Sequence, residues 1–375
     1  MAGRKEIMNQ DTPPSEAQWM LHRRDFVKGA ALTGAALIGG ALAMAQNTIT
    51  PPANPAGASS PTPVAPSDQQ PVPTKKAGNT GLTLSAMGIG GFHLGTASSQ
   101  DVATQIVHGA LDAGINFFDN AWEYHEGESE NRLGNALKGR RDQAIVMTKV
   151  CTHGRGKDVA MRMLEESLSR LQTNYLDVWQ IHEVIYYNDP DLIFSPGGAA
   201  EALLEAKKQG KVRFIGFTGH KDPAIHLRML SHNFPFDTVQ MPLNCSDATF
   251  RSFETQVLPE ANRRQLAVFG MKSLGGSGEM VTRGAITPEE GLRYAMSLPV
   301  ATTISGIDTL NVLKQNLEIL RDFKPMTDSE MADLRDRCRS LAGDGHLERF
   351  KTSLFYDGDL GREQHGFPSS KEVPL

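Results

Sequence analysis

Four side chains in this 375-residue chain could do chemistry on a polar bond: Asp119, Tyr124, Lys149 and His182. Asp119 closes the run Phe117-Phe118-Asp119, and Tyr124 follows five residues later. Lys149 closes Ala144–Lys149, and His182 follows Leu176–Ile181. Together they offer an acid, a phenol, an amine and an imidazole, a set able to move a proton and steady a charge. Singly, each has an ordinary explanation. Asp119 could cap the next element, Tyr124 could be a loop aromatic, Lys149 an exposed strand end, and His182 a hydrogen-bonded structural histidine. Asp119 or Glu123 with His182 would also serve as the acid and base of a hydrolase or isomerase, but Tyr124 and Lys149 would then have no role. The joint reading requires adjacent strand ends to bring all four to one place.

The sequence supplies such a frame. Strand-like runs at Ala86–Gly90, Asn116–Asp119, Ala144–Lys149, Leu176–Ile181, Val212–Thr218, Thr238–Met241, Leu266–Met271 and Thr302–Ser305 alternate with helix-like stretches. The helices are expected at Gln100–Ala113, Ser129–Lys138, Asp158–Leu171, Ala199–Gln209, Pro223–His232, Phe253–Arg263, Thr287–Ser297 and Thr309–Leu320. Met161, Leu164, Leu168 and Leu171 keep a helical period, and Gly114, Gly139 and Gly210 sit where helices end. Eight such units predict an α/β fold, a (β/α)8 TIM barrel over 76–322, with chemistry at the C-terminal ends of the strands. No GxGxxG follows the first strand, which argues against the doubly wound alternative. Residues 323–375 read as a C-terminal extension, with a helix near Asp328–Leu341 and a polar tail over one barrel end.

The chain carries 38 Lys+Arg against 43 Asp+Glu, a net charge of -5, which excludes nucleic acid as the main partner. With 39% hydrophobic and 22% charged residues, wholesale disorder is also excluded. Its three cysteines, Cys151, Cys245 and Cys338, lie far apart, which predicts no disulfide scaffold and no zinc site. Ten of the 21 prolines precede Lys75, so 46–75 reads as a Pro-rich disordered linker. Before it, Arg23-Arg24, an uncharged Ala/Gly-rich run and Ala43-Met44-Ala45 resemble a twin-arginine (Tat) signal peptide over 1–45. That resemblance implies the Tat export machinery as a partner and an exported, periplasmic location, or a membrane tether if the leader stays uncleaved.

The segment INFFDNAWEYHEGESENRLGNAL resembles the aldo/keto reductase signature, and MTKV and LDVWQIHE are similar to that family's strand-end Lys and His segments. The resemblance runs over about 80–320. It implies a nicotinamide cofactor, NADP(H) by default with NAD(H) possible, no metal, and reduction of a small aldehyde or ketone to its alcohol. Tyr124 would donate the proton, Lys149 would lower the phenol's pKa, Asp119 would hold Lys149, and His182 would hydrogen-bond the carbonyl oxygen. The implied cofactor positions are Gly91, Thr218, Gly219, Gln240, Met271, Lys272, Ser273, Leu274, Gly306, Asp308, Gln315 and Asn316. Phe92 and Trp122 are candidates for the substrate wall, with His93 and Tyr186 beside them.

Several positions depart from the family pattern. Thr218-Gly219 stands where Ser-Asn is usual, and Met271-Lys272 where an aromatic residue often stacks on the nicotinamide. Gly306, Ile307 and Val312 replace the usual Lys, Ser and Arg near a 2′-phosphate, while Asp308 could bond a 2′-hydroxyl. These departures leave NADPH against NADH open. They also leave an alternative function open: a cofactor-binding sensor or regulatory subunit with little turnover.

Overall fold

The computed structural model describes residues 71–373, apart from 152–153, 355 and 370–371. Eight parallel strands, β3–β10, close a barrel in the order β10-β3-β4-β5-β6-β7-β8-β9. They are β3 (Met87–Gly90), β4 (Phe117–Asp119), β5 (Ile145–Val150), β6 (Leu176–Ile181), β7 (Val212–Thr218), β8 (Thr238–Pro242), β9 (Ala267–Met271) and β10 (Thr302–Gly306). Helices follow them in turn: α1 (Gln100–Asp112), α2 (Glu128–Ala136), α3 (Lys157–Leu171), α4 (Ala199–Lys208), α5 (Pro223–Ser231), α6 (Leu258–Arg263), α7 (Pro288–Ser297) and α8 (Leu310–Arg321). The fold is the expected (β/α)8 barrel.

Local sequence sets the element ends. The side chains of Ser99, Asp222 and Thr309 accept backbone N–H groups at the starts of α1, α5 and α8, and Thr287 with Glu290 forms a capping box on α7. Gly114 and Gly210 end α1 and α4 with φ of 96° and 73°. The helix expected over Phe253–Arg263 is instead two pieces, Phe253–Gln256 and α6. Pro259 has no N–H to continue the first piece, and its ring crowds the carbonyl four residues back.

Side chains alternate across each strand, and that alternation builds two cores. Outward residues such as Ile89, Phe118, Val146, Trp179 and Ile215 pack under the helices. Inward residues Phe117, Met147, Val178, Phe269 and Ile304 fill the lower barrel. Two residues further along the same inward rows stand Asp119, Lys149 and Gln180, and His182 continues the row of Val178. The interior thus passes from apolar at the strand starts to ionisable at the strand ends.

The boundary of the expected linker needs correction. Thr74–Lys76 (β1) pairs antiparallel with Thr83–Ser85 (β2), so the barrel's ordered approach begins before residue 76. Ala77 and Leu84 join the inner core, Asn79 N–H donates to the Gln265 carbonyl at 2.9 Å, and Lys75 Nζ donates to the Met296 carbonyl at 2.5 Å. The hairpin therefore stoppers the strand-start end. The expected signal peptide over 1–45 and the linker up to residue 70 lie outside the described residues. At the other end, α9 (Asp328–Ala342) matches the expected C-terminal helix. The segment beyond it crosses the rim, where Lys221 Nζ pairs with Asp357 Oδ1 at 2.5 Å and Gly358 N–H donates to Glu183 Oε2 at 3.2 Å.

Candidate active site

β4, β5 and β6 are neighbours in the barrel, and their C-terminal ends bring the four expected residues together. Lys149, 1% exposed, pairs with Asp119 Oδ1 and donates to the Asn120 carbonyl at 2.6 Å. Gln240 Nε2 donates to the other Asp119 oxygen at 3.3 Å. The ammonium therefore has one carboxylate and one carbonyl fixing its direction, and it lies 5.1 Å from the centre of the Tyr124 ring. Tyr124 sits on a short turn, Tyr124–Gly127, in which His125 and Glu126 take positive φ. Its ring meets the His182 imidazole edge-on at 5.6 Å, and Phe92 at 5.5 Å.

Electrostatics correct one expectation. Burial, reinforced by Asp119, Glu123 and Glu183, raises the Tyr124 phenol well above its ordinary value. The Lys149 ammonium, paired with Asp119, does not offset these groups. Tyr124 is accordingly a fully protonated donor at neutral pH.

Two carboxylates complete the cluster. His182 Nδ1 is hydrogen-bonded to Glu123 Oε1. Ligand atoms of Glu123, His182 and Glu183 all lie within 4.8 Å of one another. Burial pushes the Glu123 carboxyl up, but the charge and hydrogen bond of His182, the Cys151 thiol and Lys149 outweigh it and hold it below its usual range. Burial lowers His182 despite Glu123. Glu183 takes the opposite course, raised to about 8 by burial, Glu123 and Asp357. One carboxylate is thus ionised and the other protonated near neutral pH. The role of Glu183 went unread in the sequence because its partners, Asp357 and Gly358, come from the far end of the chain.

The family model for the aldo/keto reductase family matches residues 86–285, more than half of the chain and the stretch that carries these residues.

The chain belongs to the aldo/keto reductase family.

L-galactose dehydrogenase of Arabidopsis thaliana is 39% identical over 152 residues, 38% of this chain and 47% of that protein. The aldo-keto reductase YhdN of Bacillus subtilis is 30% identical over 211 residues, 52% of this chain and 60% of its own length. The chain thus spans about half to three fifths of these curated relatives. An aldo-keto reductase of Bacillus halodurans, solved in its holo form, superposes with a TM-score of 0.59 at 22% identity, covering 74% of this chain and 99% of its own. That likeness carries the fold.

In this family member the remaining expected positions sit in unlike surroundings. Thr218 and Gln240 are register partners on β7 and β8. Thr218 Oγ1 and Gln240 Oε1 are both buried without a hydrogen-bond partner. Buried polar atoms of this kind call for one. Gly219 has a steric reason: a Cβ there would run into the Val184 carbonyl and the His226 ring. An asparagine has no room. Gly91 is buried against Asp119 and Asn120, and its carbonyl accepts from Ser129 Oγ at 2.6 Å. Met271 at the end of β9 and Lys272 and Leu274 after it are partly buried, and Ser273 is buried. Burial lowers Lys272 to about 8, and its ammonium lies 5.5 Å from the Phe350 and Tyr356 ring centres. The His93 ring lies against Gly306 and feels Asp308 electrostatically. Gln315 is exposed on α8, whereas Asn316 is buried and donates to Ser305 Oγ at 2.8 Å.

The candidate wall residues sit in different surroundings. Phe92 is 51% exposed above Tyr124, as a wall residue would be. Trp122 is half-buried: its backbone N–H donates to the Lys149 carbonyl at 3.1 Å, its indole N–H donates to Glu166 Oε2 at 2.8 Å, and Arg170 lies 4.9 Å from its ring, the last two from α3. Tyr186 is covered by the C-terminal segment, with His365 at 4.3 Å and Phe367 at 5.3 Å.

Proposed function

We propose that this chain reduces an aldehyde or ketone to an alcohol using a reduced nicotinamide cofactor, with Tyr124 as proton donor. The observation that carries the reading is Tyr124, kept protonated by its surroundings, between the imidazole of His182 and the Lys149–Asp119 pair. The fit to a nicotinamide rests on Thr218 Oγ1 and Gln240 Oε1, two orphaned buried atoms on adjoining strands that would take up a carboxamide. When bound, the cofactor supplies the hydride, which no side chain can do.

The chain's own residues divide the remaining work. Tyr124 releases its proton to the oxygen that gains charge. Lys149, aimed by Asp119 and the Asn120 carbonyl, steadies that charge. His182 donates Nδ1–H to Glu123, which leaves Nε2 of the neutral ring as an acceptor. Donation from His182 to a carbonyl oxygen, the role expected from the family, would require the imidazolium. The neutral ring instead suits His182 to accept a proton in the alcohol-to-carbonyl direction. Met271, Lys272, Ser273 and Leu274 from the end of β9 onward, and Gly306, Asp308, Gln315 and Asn316 from the end of β10 onward, would flank the rest of the cofactor. NADPH is the default we propose, since two Klebsiella pneumoniae relatives of this fold were solved with NADP and with NADPH. Asp308 is the residue that would turn the preference toward NADH. From the leader sequence alone we also propose export through the Tat route.

The test is to titrate the cofactor-free full chain with NADPH and NADH separately, following tryptophan fluorescence, and then add a panel of carbonyl compounds. Saturable binding with carbonyl-dependent oxidation is expected. Failure of a folded, nucleotide-free protein to bind either cofactor would overturn the reading. For export, replacing Arg23-Arg24 by Lys-Lys should retain the protein in the cytoplasm on fractionation.

A further inference from the structure

The loop after β8 and helix α9 bring together two cysteines that stand 93 residues apart in the sequence. Cys245 and Cys338 are both buried, 0% and 1% exposed, and their sulfurs are 3.4 Å apart. We propose that Cys245 and Cys338 are an oxidisable pair that closes to a disulfide and fastens α9 to the loop behind the cofactor side of the barrel. This inference does not depend on the reductase reading.

Geometry is the first support. The two sulfurs need to approach by about 1.4 Å to reach the bond length of about 2.05 Å. Neither is walled off by another side chain, since each is already the other's hydrogen-bond partner. The electrostatics are unequal in the sense that exchange requires. The Cys245 hydrogen bond holds Cys338 below the ordinary thiol value, with help from Arg337 and Ser246, while Cys245 is raised by the same contact and by burial. Cys338 is therefore the thiolate that attacks first. It lies four residues before the end of α9, so fraying of the last turn opens it to a small reagent.

The chemistry balances with a low-molecular-weight disulfide as oxidant. The Cys338 thiolate attacks one sulfur of that reagent, forms a mixed disulfide and expels one thiolate. Cys245 then loses its proton to solvent, attacks the Cys338 sulfur and expels the second thiolate. Two cysteine sulfurs are oxidised, and the reagent is reduced to two thiols. The bond has a structural consequence at the rim. Asn244, next to Cys245, donates to the Lys272 carbonyl at 3.3 Å and to Glu348 Oε1 at 3.0 Å. Closure therefore pins the same loop that ties Lys272 to the C-terminal segment. Cys151 is buried beside Glu123 and has no cysteine neighbour among the described residues, so it serves as an internal control.

The experiment incubates the full chain with oxidised glutathione in mild urea, which lets α9 open, then denatures and alkylates it. Before alkylation, we expect the intact mass to fall by two hydrogens. Peptide mapping should recover Cys245 joined to Cys338 with only Cys151 alkylated. Tm should rise by several degrees and return on reduction, and Cys151→Ser should still form the Cys245–Cys338 cross-link. Three alkylated cysteines after oxidation would overturn the proposal. So would a lasting glutathione adduct on one cysteine, or a cross-link through Cys151 or to a second chain.

Discussion

Tyr124 is the residue on which the proposed chemistry turns. Tyr124→Phe removes the proton and little else, since the ring keeps its edge contacts with Phe92 and His182. Turnover should fall by about 10²–10⁴-fold with cofactor affinity unchanged, measured by steady-state kinetics beside a binding titration. Glu123 acts through His182. Its carboxylate supports the charged imidazole that burial opposes. Glu123→Gln should therefore lower the His182 pKa further and move that limb of the kcat/KM pH profile to lower pH by about one unit or more. A purely structural role would change rate or stability without moving the limb. Glu183 makes a different prediction. Burial, Glu123 and Asp357 raise its carboxyl to about 8, so the fold binds its proton more tightly than the unfolded chain does. Its contribution to stability is complete below the unfolded value of about 4.3 and is lost as pH rises through the folded value. Glu183→Gln should flatten the decline of Tm between about pH 5 and pH 8.

At the scale of elements, Gly219 follows β7 where the backbone of Val184 comes close. Gly219→Asn would restore the residue usual in the family, yet it should destabilise the protein by about 1–3 kcal/mol in a denaturant melt, because the side chain overpacks that contact. The strands were legible because each is a short apolar run between turn residues. Lys149, with Met147 two residues before it, and Asp119, with Phe117 before it, carry the inward period on their own strands. The meeting of Asp119, Tyr124, Lys149 and His182 was readable for the same reason: strand order alone places those ends side by side. What escaped was built from distant pieces. The Glu183–Gly358 hydrogen bond, the cover of Tyr186 by His365 and Phe367, and the Cys245–Cys338 contact each join segments that no local pattern connects. The clasp of Trp122 by Glu166 and Arg170 on α3 also escaped, because a strand-end position does not disclose that packing partner. The hairpin was hidden by its composition, since Thr74–Lys76 is too short and polar to look like a strand.

Across the whole molecule, the C-terminal segment is fixed by a buried ionic knot. Lys351 Nζ meets Asp247 Oδ1 at 2.7 Å, Glu348 Oε2 at 2.8 Å and the Phe250 carbonyl at 2.8 Å. Lys351→Met would leave two buried carboxylates facing each other, and stability should drop by about 3–5 kcal/mol. Glu348, already raised to about 7 by burial, would take up a proton as pH falls. The loss should therefore be smaller at pH 6 than at pH 8, as chemical denaturation would show. The barrel wall itself is joined last to first, with Gly306 of β10 paired to Gly90 of β3. That seam sets an order of events in time. Until Thr302–Gly306 has docked, β3 keeps an open edge, and until Gln265 has docked the hairpin lacks the carbonyl that receives Asn79. Contacts so remote in sequence form slowly. In pulse-labelled hydrogen exchange, the amides of β3, β10 and the hairpin should gain protection together, after those of β5 and β6.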